Sequence, residues 1–207
     1  MARIARRRLI AGAGALVAGP LLARRAGAQA PAANPRVTIT TDHGAFTAEI
    51  FADKAPITAR NFLRYVDTRR YDGAQFYRAL RNGWDPTTGF IEGGLPNHPE
   101  RLLPPIAHEP TTQTGLKNVD GTLSLARFAP GTGRADFSIC VGDAPSFDAD
   151  PSKPGDNLGF AAFGRVTDGM DVVHAILALP TGGVARNPVM AGQILSPPVV
   201  IARMRRT

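Results

Sequence analysis

Glycine and proline interrupt this chain so often that long regular elements have little room in it. Its 207 residues include 22 glycines and 18 prolines, and both residue types favour turns over the interiors of helices and strands. Hydrophobic residues make up 43% of the chain, which is enough for an ordinary globular core. The combination favours many short strands joined by loops over a helical bundle.

The apolar residues recur at two different spacings. Residues 36–41 alternate, and a turn at 42–44 leads into a second alternating run at 45–51, which predicts a β-hairpin. Further apolar runs predict strands at 76–80, 122–126, 137–141, 160–166 and 199–204. Only 55–68 and 170–179 carry apolar residues at helical spacing. We therefore expect a mainly β fold, a closed antiparallel barrel with two helices covering its ends.

The first 28 residues have the three parts of an export signal. A basic start precedes an apolar run from Leu9 to Leu22, which ends in small residues near Ala28. Residues 6–10 (RRRLI) resemble the twin-arginine motif, so we predict export by that route with cleavage after about Ala28. A general secretory signal and an uncleaved anchor are the alternatives.

The signal also defines the remaining organisation of the chain. We interpret residues 29–35 as a flexible linker and residues 36–207 as one folded domain. The expected location is periplasmic or otherwise exported, with no stable membrane anchor once the signal is removed. The formal net charge of +7 is largely due to six arginines in the signal. Because the remainder carries only about one excess positive charge, we expect no nucleic-acid binding.

Few residues suggest metal or thiol chemistry. Cys140 is the single cysteine and lies in an apolar run, so it is predicted to be a buried small hydrophobe. Calcium binding by aspartates in the loop after it is an alternative function, although their spacing matches no calcium-binding loop. These aspartates are Asp143, Asp148, Asp150 and Asp156. The four histidines are scattered without ligand spacing. We expect no metal and no cofactor.

Five sequence blocks in a fixed order carry a family resemblance. The most specific are YDGAQFYR at 71–78 and FIEGG at 90–94, which are similar to the cyclophilin patterns Y-[DK]-G-[ST]-x-F-H-R and [FM]-x-Q-G-G. The other three blocks lie at 46–62, 121–126 and 163–173. Together they cover about residues 36–204, and over this range the chain resembles the cyclophilins.

The resemblance implies an eight-stranded closed antiparallel barrel with a surface groove for an X-Pro segment. It also implies a peptidyl-prolyl cis-trans isomerase that assists protein folding, is monomeric, and acts on proline-containing polypeptides or unfolded exported proteins. By motif position Arg78 is the catalytic residue. The implied substrate-binding residues are Phe76, Tyr77, Phe90, Glu92, Ala126, Arg127, Phe128, Asp136, Ser138 and Phe160.

A single arginine can carry this reaction on physical grounds. Rotation about the X-Pro bond is opposed by a barrier of about 18–20 kcal/mol because the carbon–nitrogen bond is partly double. At the twisted transition state the conjugation is lost, and the proline nitrogen becomes a pyramidal base. A fixed cation that hydrogen-bonds this nitrogen therefore stabilises the transition state more than the ground state. The guanidinium of arginine stays charged and offers several donors.

The chain departs from the family pattern within the groove. Tyr77 stands in place of histidine, Glu92 and Asp136 in place of glutamine, Arg127 in place of asparagine, and Ser138 in place of a phenylalanine that forms one wall of the proline pocket. Phe160 is the residue that could refill that space. The groove tryptophan has no counterpart, since Trp84 lies in an inserted loop. A non-catalytic peptide-binding or chaperone module with the same fold is the alternative function.

Overall fold

The computed structural model describes Met1 and residues 33–207. The predicted export signal and residues 29–32 of the predicted linker lie outside the described residues. The end of the linker is attached to the folded domain. Asn34 Nδ2 donates to Glu49 Oε1 at 2.9 Å, and the Ile50 N–H donates to the Pro35 carbonyl at 2.8 Å. Asn34 and Pro35, the last two residues of the predicted linker, are therefore bonded to the folded domain.

Eight strands form a closed antiparallel barrel. In chain order they are β1 (Arg36–Thr41), β2 (Gly44–Ile50), β3 (Ala74–Arg81), β4 (Gly89–Gly94), β5 (Thr122–Leu125), β6 (Phe137–Val141), β7 (Ala161–Asp168) and β8 (Ile194–Arg206). Around the barrel the order is β1-β2-β7-β5-β6-β4-β3-β8, and β8 closes it by pairing with β1. The predicted closed eight-stranded barrel is confirmed.

Both predicted helices are present, and one further short helix accompanies them. The predicted pair are α1 (Pro56–Asp67) and α3 (Met170–Leu177). Between them, α2 (Thr111–Thr114) is a single turn that ends at Gly115, whose φ of 72° places it in the left-handed region. A four-residue helix is too short to show a helical period, so the sequence did not indicate it. No helix in the described part of the chain has the length and apolar character needed to cross a membrane.

Aromatic rings fill the interior of the barrel and the interface with α1. The Phe62 ring on α1 lies 5.1 Å from Phe163 on β7 and 5.4 Å from Phe137 on β6. Tyr71, just before β3, lies 5.4 Å from Phe62. These side chains are fully buried. Helix α1 therefore fixes one end of the barrel through aromatic contacts.

A distant carboxylate caps the first turn of α1. Glu109 Oε2 accepts from the Thr58 N–H and the Thr58 hydroxyl at 2.7 Å each, and Oε1 accepts from the Ile57 N–H at 3.1 Å. Ala55, the residue at the N-cap position, has no side chain that could accept these bonds. Glu109 is only 1% exposed. The loop that carries it is thus fastened to the start of the helix.

Cys140 lies on β6 and is fully buried, as predicted. Burial, together with the nearby charges of Asp120, Asp148 and Asp143, raises the pKa of its thiol to about 12. The thiol is therefore protonated at neutral pH and unreactive as a nucleophile.

Candidate active site

The predicted groove residues lie around one open cleft of about 1020 Å³. Arg78 lines this cleft together with nine of the ten predicted substrate-binding residues, namely Tyr77, Phe90, Glu92, Ala126, Arg127, Phe128, Asp136, Ser138 and Phe160. Residues that sequence reasoning missed also line it, among them Phe147, Val184, Arg186 and Met190.

Phe76 is the exception, and its predicted role in substrate binding is wrong. Its side chain is 0% exposed and lies in the barrel core, with its ring 6.1 Å from Phe46 and 5.8 Å from Phe137. The regular two-residue alternation of β3 breaks immediately after it. Phe76 pairs with Gly93 and Arg78 with Glu92, so Tyr77 is an extra residue in the strand. This β-bulge lets Tyr77 and Arg78 both face the cleft while Phe76 faces inward.

Arg78 is held at the cleft by three neighbours. Its Nη1 donates to Glu92 Oε2 at 2.7 Å, and its Nε donates to Gln193 Oε1 at 2.8 Å. The guanidinium carbon lies 4.9 Å from the centre of the Phe90 ring, a cation–π contact. The Arg78 side chain is 14% exposed to solvent and the Glu92 side chain is 8% exposed. The ion pair therefore orients the guanidinium without closing it off from the cleft.

Glu92 connects Arg78 to Tyr77. Its second oxygen, Oε1, accepts the Tyr77 hydroxyl at 2.9 Å. Burial, with the Glu92 charge as a further cause, raises the pKa of Tyr77 well above its usual range, so the hydroxyl stays a donor. Both carboxylate oxygens of Glu92 are thus occupied, and the Arg78 guanidinium is fixed by a charge-assisted hydrogen bond.

Asp136 reaches the same region from the loop before β6. Its Oδ1 accepts the Leu95 N–H at 2.8 Å. This contact requires glycine at position 94, because a Cβ there would collide with the Asp136 carboxylate. The φ of Gly94 is 153°, a backbone conformation that other residues rarely adopt. The Gly-Gly end of the 90–94 block is therefore required by Asp136 and by the Phe76 ring, which lies 2.6 Å from where a Gly93 Cβ would be.

An apolar wall of three aromatic rings, Phe90, Phe147 and Phe160, begins at the ring that Arg78 contacts. The Phe147 ring lies 5.3 Å from Phe90 and 4.8 Å from Phe160, tilted by 57° and 52° against them, so the three rings form one continuous apolar surface. Phe147 was not predicted as a site residue, and its only signal is that it is the one aromatic residue in a loop of prolines and aspartates. Like Phe160 and Ser138, it lines the cleft.

Residues 126–128 form a further part of the cleft. The Arg127 side chain is fixed by Asp156, with Nη1 2.5 Å from Oδ2, and lies 5.5 Å from the Phe160 ring. Its own backbone N–H and C=O bond to no other protein group within residues 33–207. Phe128 is 84% exposed at the rim.

Comparison with known proteins decides the family. The family model for cyclophilin type peptidyl-prolyl cis-trans isomerase/CLD matches residues 36–205. The peptidyl-prolyl cis-trans isomerase B of Escherichia coli (strain K12) is 37% identical over 150 residues, which cover 70% of this chain and 86% of that protein. A peptidyl-prolyl cis-trans isomerase of Streptomyces antibioticus is also 37% identical, over 70% of this chain and 85% of its own length. The chain belongs to the cyclophilin family of peptidyl-prolyl cis-trans isomerases.

Solved structures agree with the fold of this cyclophilin. A cyclophilin type isomerase of Cryptosporidium parvum, crystallised in the presence of the dipeptide Ala-Pro, superposes with a TM-score of 0.65 at 19% identity. The match covers 83% of this chain and 98% of that one. The predicted family, fold and enzymatic class are therefore confirmed.

The departures from the cyclophilin pattern are local. Trp84 is largely exposed and does not belong to the cleft lining, so it does not replace the groove tryptophan. Ser138 pairs with Glu92 across β4 and β6 and is nearly buried. Phe147 and Phe160 line the same cleft as Ser138 and supply aromatic rings to it.

The four aspartates considered for calcium binding are engaged separately in this cyclophilin. Asp156 pairs with Arg127, Asp150 with Lys153 and Asp148 with Lys117, while Asp143 accepts the Asp120 N–H. Among residues 33–207, no group of three or more histidine, cysteine, aspartate or glutamate side chains is placed to hold a metal ion.

We expect the stability of this cyclophilin to depend on the protonation of Asp136. Burial, and secondarily the charge of Glu92, raises its pKa from 3.8 to about 6. A carboxyl group with a raised pKa binds its proton more tightly in the folded state, so its contribution to stability is complete below about pH 4 and is lost as the pH rises through about 6. Between these limits the wild type should lose about 1–3 kcal/mol more unfolding free energy than Asp136→Asn. Urea unfolding of both proteins across this range measures the difference, and parallel pH profiles would contradict the assignment.

Proposed function

We propose that this cyclophilin isomerises X-Pro bonds with Arg78 as the catalytic residue. The observation that carries the proposal is the fixed and accessible guanidinium of Arg78, held by Glu92 and Gln193 above the Phe90 ring. Its Nη2 donates to no group among the described residues. This nitrogen is therefore available to a substrate, as the reaction requires.

The geometry accounts for rate enhancement without covalent chemistry. As the X-Pro bond twists, the lone pair of the proline nitrogen is released from conjugation with the carbonyl. A guanidinium that is already oriented donates a hydrogen bond to this lone pair, and the donor needs no reorganisation during the reaction. Because the bond strengthens only as the nitrogen becomes pyramidal, it lowers the barrier instead of only tightening substrate binding.

The remainder of the cleft supports binding of an extended peptide. The adjoining rings of Phe90, Phe147 and Phe160 offer an apolar surface for the proline ring. The unpaired backbone groups of Arg127 can bond to a peptide that lies alongside it as an added strand. The Cryptosporidium parvum relative was crystallised in the presence of Ala-Pro, and we extend that chemistry to proline-containing and unfolded polypeptides as partners here.

Peptide binding without catalysis is the second candidate function. The Arg78–Glu92 ion pair favours it, because a carboxylate at 2.7 Å offsets part of the positive charge. An isomerisation assay on a proline-containing peptide separates the two functions. Catalysed exchange that disappears in Arg78→Ala supports the enzyme, whereas equal rates for both proteins would support the binding module.

We also propose that the protein acts after export, as a monomer. The support for export is the sequence pattern of residues 1–28, with RRRLI at 6–10, and the monomeric state is what the family resemblance implies. Replacing Arg6 and Arg7 by lysine should retain the protein in the cytoplasm at its unprocessed mass, because the twin-arginine route reads that pair. Cell fractionation with mass spectrometry measures this, and undisturbed export of the lysine variant would argue for the general secretory route.

A further inference from the structure

The cleft has an unequal distribution of charge. Four arginines line it, Arg78, Arg127, Arg134 and Arg186, against two carboxylates, Glu92 and Asp136. Arg78 is paired with Glu92, and Arg127 is paired with Asp156 just outside the lining. In each of these two pairs the carboxylate largely compensates the charge of its arginine.

Two arginines remain without a counterion. Neither Arg134 nor Arg186 forms a salt bridge or a side-chain hydrogen bond with any group in residues 33–207, and both are exposed. Asp136 lies two residues from Arg134 but accepts the Leu95 N–H, and the Asp136 carboxylate forms no salt bridge with Arg134. An exposed arginine elsewhere on a protein surface needs no explanation, but two of them face the cleft that receives the substrate.

The two arginines approach the cleft from different segments. Arg134 directly precedes Ala135 and Asp136, and its charge lies close enough to Tyr65 to oppose the rise that burial causes in the pKa of that hydroxyl. Arg186 lies in the connection between α3 and β8, the same connection that supplies Gln193 to Arg78. Arg134 therefore reaches the cleft from the loop before β6, and Arg186 reaches it from the segment that also contacts Arg78.

We propose that Arg134 and Arg186 make this cyclophilin select polypeptides that carry an acidic side chain close to the isomerised proline. The proposal rests on the proposed function, because it assumes that the substrate occupies the cleft. A glutamate or aspartate near the proline would provide the counterion that both arginines lack. Guanidinium groups suit this role because they bind carboxylates through two parallel hydrogen bonds.

The expected effect is moderate, since both arginines are exposed to solvent. Exposed ion pairs contribute little individually, so we expect a peptide with Glu near the proline to be turned over about three- to tenfold better than its Gln counterpart. Pairing that is screened by ions weakens with salt, so the preference should shrink between about 10 mM and about 300 mM salt. A Lys peptide should be the poorest of the series.

The test uses matched peptides with Glu, Gln or Lys either directly before or directly after the proline. Exchange NMR measures the catalysed cis–trans rate, and titration in the same samples measures the affinity. The full-length protein is compared with Arg134→Gln, Arg186→Gln and the double variant. Arg203→Gln is the matched control, because Arg203 is exposed on β8, outside the cleft lining. We expect the Glu preference at one or both positions to be lost in the double variant and kept in Arg203→Gln.

The outcomes separate this inference from the proposed function. Equal turnover and equal affinity for Glu and Gln peptides would overturn the inference, even while a neutral peptide is isomerised in an Arg78-dependent manner. If no peptide is isomerised, the proposed function fails, and the affinities alone still decide whether the two arginines select acidic peptides. A preference that survives in the double variant would also overturn the inference.

Discussion

Replacing Arg78 with alanine is expected to lower kcat/KM for an X-Pro peptide by about 100- to 1000-fold, the cost of removing one preorganised donor from a transition state. The substitution removes the group that would bond the pyramidal nitrogen, while the apolar wall and the Arg127 backbone remain to bind the peptide. The loss should therefore fall mainly on kcat and only weakly on peptide affinity. Exchange NMR with a saturable proline peptide measures both quantities.

The control for this experiment addresses Glu92. In Arg78→Ala the Glu92 carboxylate, 8% exposed, loses its ion-pair partner, and an unpaired buried charge destabilises the fold. Glu92→Gln removes that charge and keeps an acceptor for Arg78, so this variant should retain activity. Combining Glu92→Gln with Arg78→Ala should then abolish catalysis in a stable protein. Wild-type turnover by the double variant would rule out Arg78 as the catalytic residue.

The largest expected effect on stability comes from Glu109. Replacing it with alanine leaves the Ile57 and Thr58 N–H groups and the Thr58 hydroxyl without their acceptor at the start of α1, where Thr58 is fully buried. We expect a loss of about 3 kcal/mol in unfolding free energy, from the missing cap and the unsatisfied donors. For a domain of this size the melting temperature should fall by about 6–12 °C. Thermal and urea unfolding give the two values.

Two variants calibrate the Glu109 result. Glu109→Gln keeps one acceptor oxygen, so its stability should be intermediate. Glu100→Ala removes a carboxylate that is 66% exposed and, among residues 33–207, pairs with His98 alone, and it should cost less than about 0.5 kcal/mol. If Glu109→Ala unfolds like Glu100→Ala, the cap contributes nothing to stability.

The sequence predicted those features that depend on local pattern. Apolar runs located seven of the eight strands, and the 71–78 and 90–94 blocks located Arg78 and the residues that form β4. Local pattern could not show that the strand containing Phe76 has a bulge, because a bulge depends on pairing with β4. The family resemblance places Phe76 in the groove, whereas its side chain belongs to the core.

Other features of the site depend on contacts between distant residues. Gln193 bonds to Arg78 across 115 positions of the chain, and Glu109 bonds to Thr58 across 51. Neither residue lies in a regular apolar pattern or in one of the family blocks, so nothing local indicated its role. Phe147 lies in a loop whose composition predicts exposure, and only the folded chain brings its ring between Phe90 and Phe160.

Closure of the barrel matters for a protein whose proposed partners are unfolded chains. Every strand has a hydrogen-bonded neighbour on both sides, and β8 joins β1 to β3. Unfolded polypeptides expose segments that readily add to an open sheet edge, and such additions seed aggregates. The eight paired strands offer such segments no edge to extend, and the peptide contact proposed at Arg127 lies outside these strands, after the end of β5. We therefore expect the barrel to add little to the aggregation of its proposed partners.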